Sequence, residues 1–162
     1  MAKHNNSEFV KITVDGKVLP GASEEAQYKE WFEGHNPIGL QLYAGSDGPI
    51  FDVTTLSLVA SQGTGTLLET FLKRGHKNII IETVCRSSDK FSDSYESSKI
   101  VYHDCNLHEV ILTHDEEGVL YTRITFSPEN KVEITLQVPD KVDGALAKVG
   151  PIVYSIPEKK LA

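Results

Sequence analysis

Only two cysteines occur, Cys85 and Cys105, too few for a disulfide framework. Each sits inside an apolar or alternating segment, where a free thiol behaves as a small hydrophobe; a pairing or reactive thiol is the other reading. No stretch approaches the roughly 18 apolar residues of a membrane helix, so membrane insertion is not expected. The opening Met1-Ala2-Lys3-His4-Asn5-Asn6-Ser7 has no apolar h-region. A cleavable secretory signal is therefore not visible, and synthesis and folding in the cytosol are expected. Any export then needs a machine that works without an N-terminal signal. Clustered Lys and Arg are also missing: 16 basic against 23 acidic residues leave a net charge of −7. Nucleic acid needs a basic face to displace its counterions, and this balance supplies none globally. Internal repeats are absent.

What is present is ordinary globular material. The 162 residues, 40% apolar and 24% charged, fit a single domain with one continuous core. Residues 1–7 are expected to be a flexible N-terminus and 139–162 a C-terminal extension. Glu8–Val14 alternates with Val10, Ile12 and Val14 on one face, and Asp15-Gly16 follows as a turn. The stretch 20–37 is irregular, with Ser23 placed to cap a short helix over 24–32 that carries Tyr28, Trp31 and Phe32 on one face. Residues 38–43 alternate as a strand. Gly45-Ser46-Asp47-Gly48-Pro49 is the densest turn cluster, and 50–59 is again strand-like.

One helix stands out. Thr66 followed by Glu69 has the capping-box pattern, and Leu67, Leu68, Phe71 and Leu72 fall at helical spacing on one face. Lys73 and Arg74 suit the last turn and Gly75 the end. A helix of about nine residues cannot stand alone in water, so its apolar face is expected to cap a sheet. Strands are expected at 79–85, 99–104 and 107–113, with a Ser-rich loop over 87–98. Val119–Phe126 and Lys131–Val138 read as a hairpin about Ser127-Pro128-Glu129-Asn130, and Ile152-Val153-Tyr154 as a last apolar stretch. The tally is seven to nine short antiparallel strands and one short helix: a mainly β sandwich or barrel with a helix packed against it.

Catalytic constellations are missing from this pattern. His103 and Cys105, with Asp104 and His108 nearby, lack the second ligand pair of a structural zinc site. No G-x-S-x-G turn exposes a serine. Gly63-Thr64-Gly65 lacks the lysine of a phosphate loop and reads as a hinge into the helix. Asp115-Glu116-Glu117 lacks calcium-loop spacing. No catalytic residue, metal or cofactor is expected.

Asp52–Leu58, the helix with Gly75-His76-Lys77, and Ile79–Arg86 ending in Cys85-Arg86 together resemble the haemolysin co-regulated protein (Hcp) family. In that family a strand leads into a short Leu-rich helix ending in Gly, then into an alternating strand that often ends Cys-Arg. Tyr95–Asp104, Leu107–Leu112 and Lys131–Leu136 resemble its later strands, and Phe9–Ile12 with Asp15-Gly16 its opening, so the likeness spans roughly 8–138. The chain differs in entering the helix through Gly65-Thr66 rather than Ser-Pro, and in continuing past the late strand.

The resemblance implies a tube protein of the type VI secretion system, related in fold to phage tail-tube proteins. Such a protein forms homohexameric rings that stack into a hollow tube and is exported without a cleavable signal. Sheath, spike and effector proteins would be its partners, with effectors carried in the lumen. The candidate ring-stacking loop is Tyr43, Gly45, Ser46, Asp47, Gly48 and Pro49, flanked by Leu40 and Leu42; an ordinary hairpin tip is the other reading. Two rival functions remain open: a monomeric β-sandwich binding module using Tyr28, Trp31 and Phe32 as an aromatic row, and an enzyme, for which no constellation is present.

Overall fold

The computed structural model describes residues 8–75, 77–88, 94–139 and 144–162. The expected flexible N-terminus and the centre of the Ser-rich loop, 89–93, lie outside these residues. β1 (Glu8–Val14) turns through Asp15-Gly16 into β2 (Lys17–Val18). Both turn residues have positive φ, 49° and 81°, as the two-residue turn that matches strand twist requires. After a single 3₁₀ turn at Ala26–Tyr28 come β3 (Phe32–Ile38), β4 (Leu42–Gly45), β5 (Gly48–Phe51) and β6 (Thr54–Val59). α1 (Gln62–Leu72) follows, then β7 (Ile79–Ser88), β8 (Ser94–Tyr102), β9 (Cys105–His114), β10 (Leu120–Pro128), β11 (Lys131–Pro139), β12 (Leu146–Ser155) and β13 (Lys160–Leu161). The mainly β class with one short helix holds, with more strands than the seven to nine expected.

Eleven of these strands make one antiparallel sheet in the order β13-β12-β11-β8-β7-β1-β3-β6-β10-β9, with β2 beside β1. The corner is β3. It pairs with β1 over only Phe9↔Glu33 and Val10↔Phe32, then with β6, with a register shift between His35 and Ile38. That break lets the sheet fold over on itself. Val10, Ile12 and Val14 of β1 and Ile79 and Ile81 of β7 then meet Leu56 and Leu58 of β6 and Ile124 and Phe126 of β10 in one buried cluster. Tyr102 of β8 meets the Phe126 ring edge-on at 5.1 Å across the two layers.

Several expectations are corrected. β10 and β11 follow one another but do not pair: β10 lies between β6 and β9, and β11 between β8 and β12. The link at Ser127–Asn130 therefore carries the chain from one layer to the other, so no hairpin forms there. The helix over 24–32 shrinks to the 3₁₀ turn, because Phe32 begins β3 instead. β7 and β8 extend into the Ser-rich segment to Ser88 and from Ser94. The segment read as a C-terminal extension supplies β12 and β13, with β12 paired along β11 from Lys131↔Ser155 to Pro139↔Leu146.

The helix begins four residues before Thr66. Ser61 is its N-cap: the Ser61 amide donates to Thr64 Oγ1 at 3.0 Å, and its hydroxyl donates to the Pro20 carbonyl at 2.9 Å. Thr66 therefore lies inside the helix, where its carbonyl accepts from the Thr70 hydroxyl, and Glu69 pairs with Lys73 at 3.8 Å. Gly63 is no hinge. A Cβ there would stand 2.7 Å from the Pro20 carbonyl oxygen and 2.8 Å from the Phe32 ring, so its bareness lets the helix start press on the core. Of the expected apolar face, Leu67 is fully buried and Leu68 half-buried, while Phe71 is exposed and Leu72 77% exposed. Gly75, with φ 124°, follows the C-cap Lys73 by two residues.

Candidate assembly surface

The candidate stacking residues come together on a projecting hairpin. β4 and β5 form their own two-stranded sheet, with Leu42↔Phe51, Tyr43↔Ile50, Ala44↔Pro49 and Gly45↔Gly48 paired around Ser46-Asp47. Gly45 is required there, since a Cβ would meet the Gly48 carbonyl oxygen at 2.7 Å and Ile50 at 2.9 Å. An isolated two-stranded hairpin is marginal in water, so something beyond its own pairs must hold it. The Phe51 ring packs on Tyr154 of β12 at 5.5 Å, and Lys159 pairs with Asp47 at 3.7 Å. Between hairpin and barrel lies an open cavity of about 370 Å³ lined by Ile50, Phe51, Pro128, Tyr154 and Ile156. Leu40, before the hairpin, packs on the core, but Leu42, Tyr43 and Ile50 are 51%, 54% and 55% exposed. Tyr43 and Ile50 pair on one face of this small hairpin and Leu42 lies on the other, an unusual share of exposed apolar surface for so short an element.

The two ends of the sheet are open in the same sense. Among the described residues no strand pairs with the far side of β9, and β13 covers β12 only at Tyr154 and Ser155. Ile111 and Leu112 on β9 and Leu146, Val149 and Ile152 on β12 are exposed. An edge strand offers unpaired N–H and C=O groups to another chain. β12 is partly blunted by Pro151, which has no N–H to offer; β9 contains no proline.

Elsewhere the polar groups are turned to structural use. Cys85 Sγ donates to Glu8 Oε1 at 3.5 Å, and burial first, then the Glu8 charge, pushes its pKa up. Cys105 is buried and desolvation raises its pKa strongly, which favours the protonated thiol at both positions. His103 bonds Glu133 at 2.6 Å and His108 bonds Ser127 at 2.7 Å, which sends the two histidines to different partners. Among the described residues no group of three His, Cys, Asp or Glu side chains could hold a metal. Asp115 caps its own turn, accepting from the Glu117 and Val119 amides at 2.9 and 2.8 Å. A second open cavity, about 420 Å³ between the end of α1 and the start of β9, mixes Arg74 and Lys77 with Asp104 and Glu129.

The aromatic row is not available to a ligand. Phe32 is fully buried, Tyr28 is nearly so and stacks on Phe9 at 4.6 Å, and Trp31 meets Tyr28 edge-on at 5.2 Å. Arg86 lies over both the Phe9 and Tyr28 rings and donates to Glu25 at 3.2 Å, while the Tyr28 hydroxyl donates to Glu96 at 2.5 Å. This clasp fastens 20–31 to the outside of β1, β7 and β8. Sequence reading missed it, as it missed Tyr154 and Lys159 on the hairpin, because each joins residues far apart in the chain.

The described residues thus define a class: a long antiparallel sheet folded round one core, with a flanking helix and a projecting hairpin. Solved structures similar to it include Hcp proteins and other proteins titled as belonging to type VI secretion systems. The chain is similar to a protein titled as a type six secretion system protein (TM-score 0.67, 14% identity, 95% of this chain and 99% of that one). It is also similar to Hcp1 from E. coli EAEC 042 (0.66, 10%, 89% and 97%) and to Hcp1 from Salmonella typhimurium (0.64, 13%, 96% and 99%). At such identities the likeness establishes the Hcp fold. No family model and no curated protein matches the sequence.

Proposed function

We propose that the chain is a structural subunit of a type VI secretion inner tube, forming hexameric rings that stack and are exported. The observation that carries this reading is the pair of open, apolar sheet ends, β9 and β12, on a molecule that also projects an apolar hairpin. The two ends differ in sequence, so a contact between one end and the other on a neighbour is head-to-tail; when the rotation closes, it makes a ring. The hairpin with Tyr43, Gly45, Ser46, Asp47, Gly48 and Pro49 then reaches the next ring. The full-length fit to proteins titled Hcp and type six secretion supports the same reading. Sheath, spike and effector proteins would be the partners, with effectors carried in the lumen; shape and self-association are the activity, and no catalytic residue or cofactor is assigned. No helix among the described residues is long and apolar enough to cross a membrane.

A monomeric binding module would need an exposed aromatic row, and the burial of Tyr28 and Phe32 works against it. Size-exclusion chromatography with light scattering tests the proposal. The expected mass is near six times the 17.9 kDa chain; a monomer over a wide concentration range contradicts it.

A further inference from the structure

The hairpin does not hold itself. Its four residue pairs leave Leu42, Tyr43 and Ile50 exposed, so little apolar burial within the hairpin fixes its direction. Leu40 and Phe51 anchor the base of the hairpin on the core; the contacts that reach its arm and tip come from the end of the chain. Tyr154, in the last three residues of β12 where burial returns, packs its ring against Phe51, and its hydroxyl lies 3.6 Å from where a Cβ of Gly48 would stand. Lys159 reaches the other arm of the turn, with its ammonium 3.7 Å from Asp47 Oδ2. Lys159 does so from a left-handed backbone conformation, φ 53°, that a side chain adopts at a cost. Its turn is tied by the Lys159 amide donating to the Ile156 carbonyl and by β13 pairing back on Tyr154 and Ser155. A glycine would be more comfortable at that position; a lysine held there against its preference points to a task for the side chain.

We infer that the C-terminal turn, through Tyr154 and Lys159, is a brace that sets the direction in which the β4–β5 hairpin projects. Tyr154 supplies the packing. The exposed Lys159–Asp47 pair adds little stability, but it acts at the tip, where a small force selects the angle. Resting on the tube reading above, the brace makes stacking depend on residues outside the stacking loop: a ring with an unbraced hairpin presents it at many angles and stacks poorly.

The test separates the brace from the tube. Hydrogen exchange of the Gly45–Phe51 amides is followed at a dilution where light scattering finds no stacked species, in the wild type, Tyr154→Ala and Lys159→Gly. Exchange about tenfold faster in the hairpin is expected in Tyr154→Ala and about two- to threefold faster in Lys159→Gly, with β1 and β7 unchanged in both. Lys159→Gly, which relieves the backbone, should do so without lowering Tm. The charge-exchanged pair Asp47→Lys with Lys159→Asp should restore slow exchange. Hairpin exchange that stays at the wild-type rate in both variants, or no recovery in the exchanged pair, overturns the brace whether or not rings form. If rings form, micrographs of both variants should show single rings in place of stacks; stacks of wild-type length in both overturn the consequence for assembly. A wild type that never forms rings removes the tube reading, and the exchange result still decides the brace.

Discussion

The folded wall and the projecting hairpin are both antiparallel strands carrying large apolar side chains, and those side chains meet opposite fates. In β6, Leu56 and Leu58 alternate with polar residues and are fully buried; in β4 and β5, Leu42 lies on the face opposite Tyr43 and Ile50, and all three are more than half exposed. Alternation dictates a strand with one apolar face. It does not say whether that face is covered by the same chain. For the wall it is, by the other layer of a sheet turned over at β3. For the hairpin and for the outer strands β9 and β12 it is not, and burying a large apolar side chain is worth roughly 1.5–3 kcal/mol. Under the tube proposal, a surface with that much left unburied gains by meeting a copy of itself.

Breaking the wall should have the largest effect. Phe126→Ala removes a fully buried ring packed on Tyr102 and should cost about 3–5 kcal/mol in denaturant unfolding. Next comes alkaline pH. The Tyr102 hydroxyl is buried without a formed hydrogen bond; Thr54 lies near enough to favour ionisation slightly but does not pair with it, and desolvation pushes the pKa from 10.0 up to about 12. The folded chain therefore keeps a proton that the unfolded chain releases. Stability from this group is complete below pH 10 and falls as pH rises from 10 to 12, by roughly 3 kcal/mol. Tyr102→Phe should flatten that slope and, with no polar atom left buried, raise stability near neutrality by about 1 kcal/mol.

The helix sharpens the comparison within one turn. Gly63→Ala drives a methyl into Pro20 and Phe32 and should destabilise by about 1–3 kcal/mol. Gly65→Ala, with nothing within 4 Å, should stabilise by about 0.5–1 kcal/mol. Smallest of all on folding is the hairpin: Tyr43→Ser should move Tm by the equivalent of less than about 0.5 kcal/mol. Deleting residues 44–49 is likewise expected to leave rings intact. Both changes should shorten stacks in micrographs, and rings that vanish instead would mean the loop was assigned the wrong contact.

How far the sequence reveals this follows from what each signal measures. Val10, Ile12 and Val14 alternate and lie in β1, Asp15-Gly16 turns as its composition requires, and the Gly45–Pro49 cluster does sit on a hairpin tip. Those signals are local, and local rules suffice for them. Thr66 with Glu69 imitates a capping box, yet Ser61 wins the cap because its hydroxyl also reaches the Pro20 carbonyl, a partner 41 residues away. β10 and β11 imitate a hairpin through composition alone; their true partners, β6, β9, β8 and β12, follow from the fold-over at β3, which leaves no mark beyond an irregular stretch. The Gly45–Pro49 tip is legible as a turn, but the residues that contact the hairpin, Tyr154 and Lys159, lie more than 100 residues on and carry no pattern that points back to it.

The central claim is that open sheet ends are closed by an identical neighbour. Negative-stain electron microscopy of the purified, folded protein at high concentration tests it most directly. Six-fold rings with a central hole, some of them in short stacks, are expected; a field of isolated compact particles would contradict closure by a neighbour.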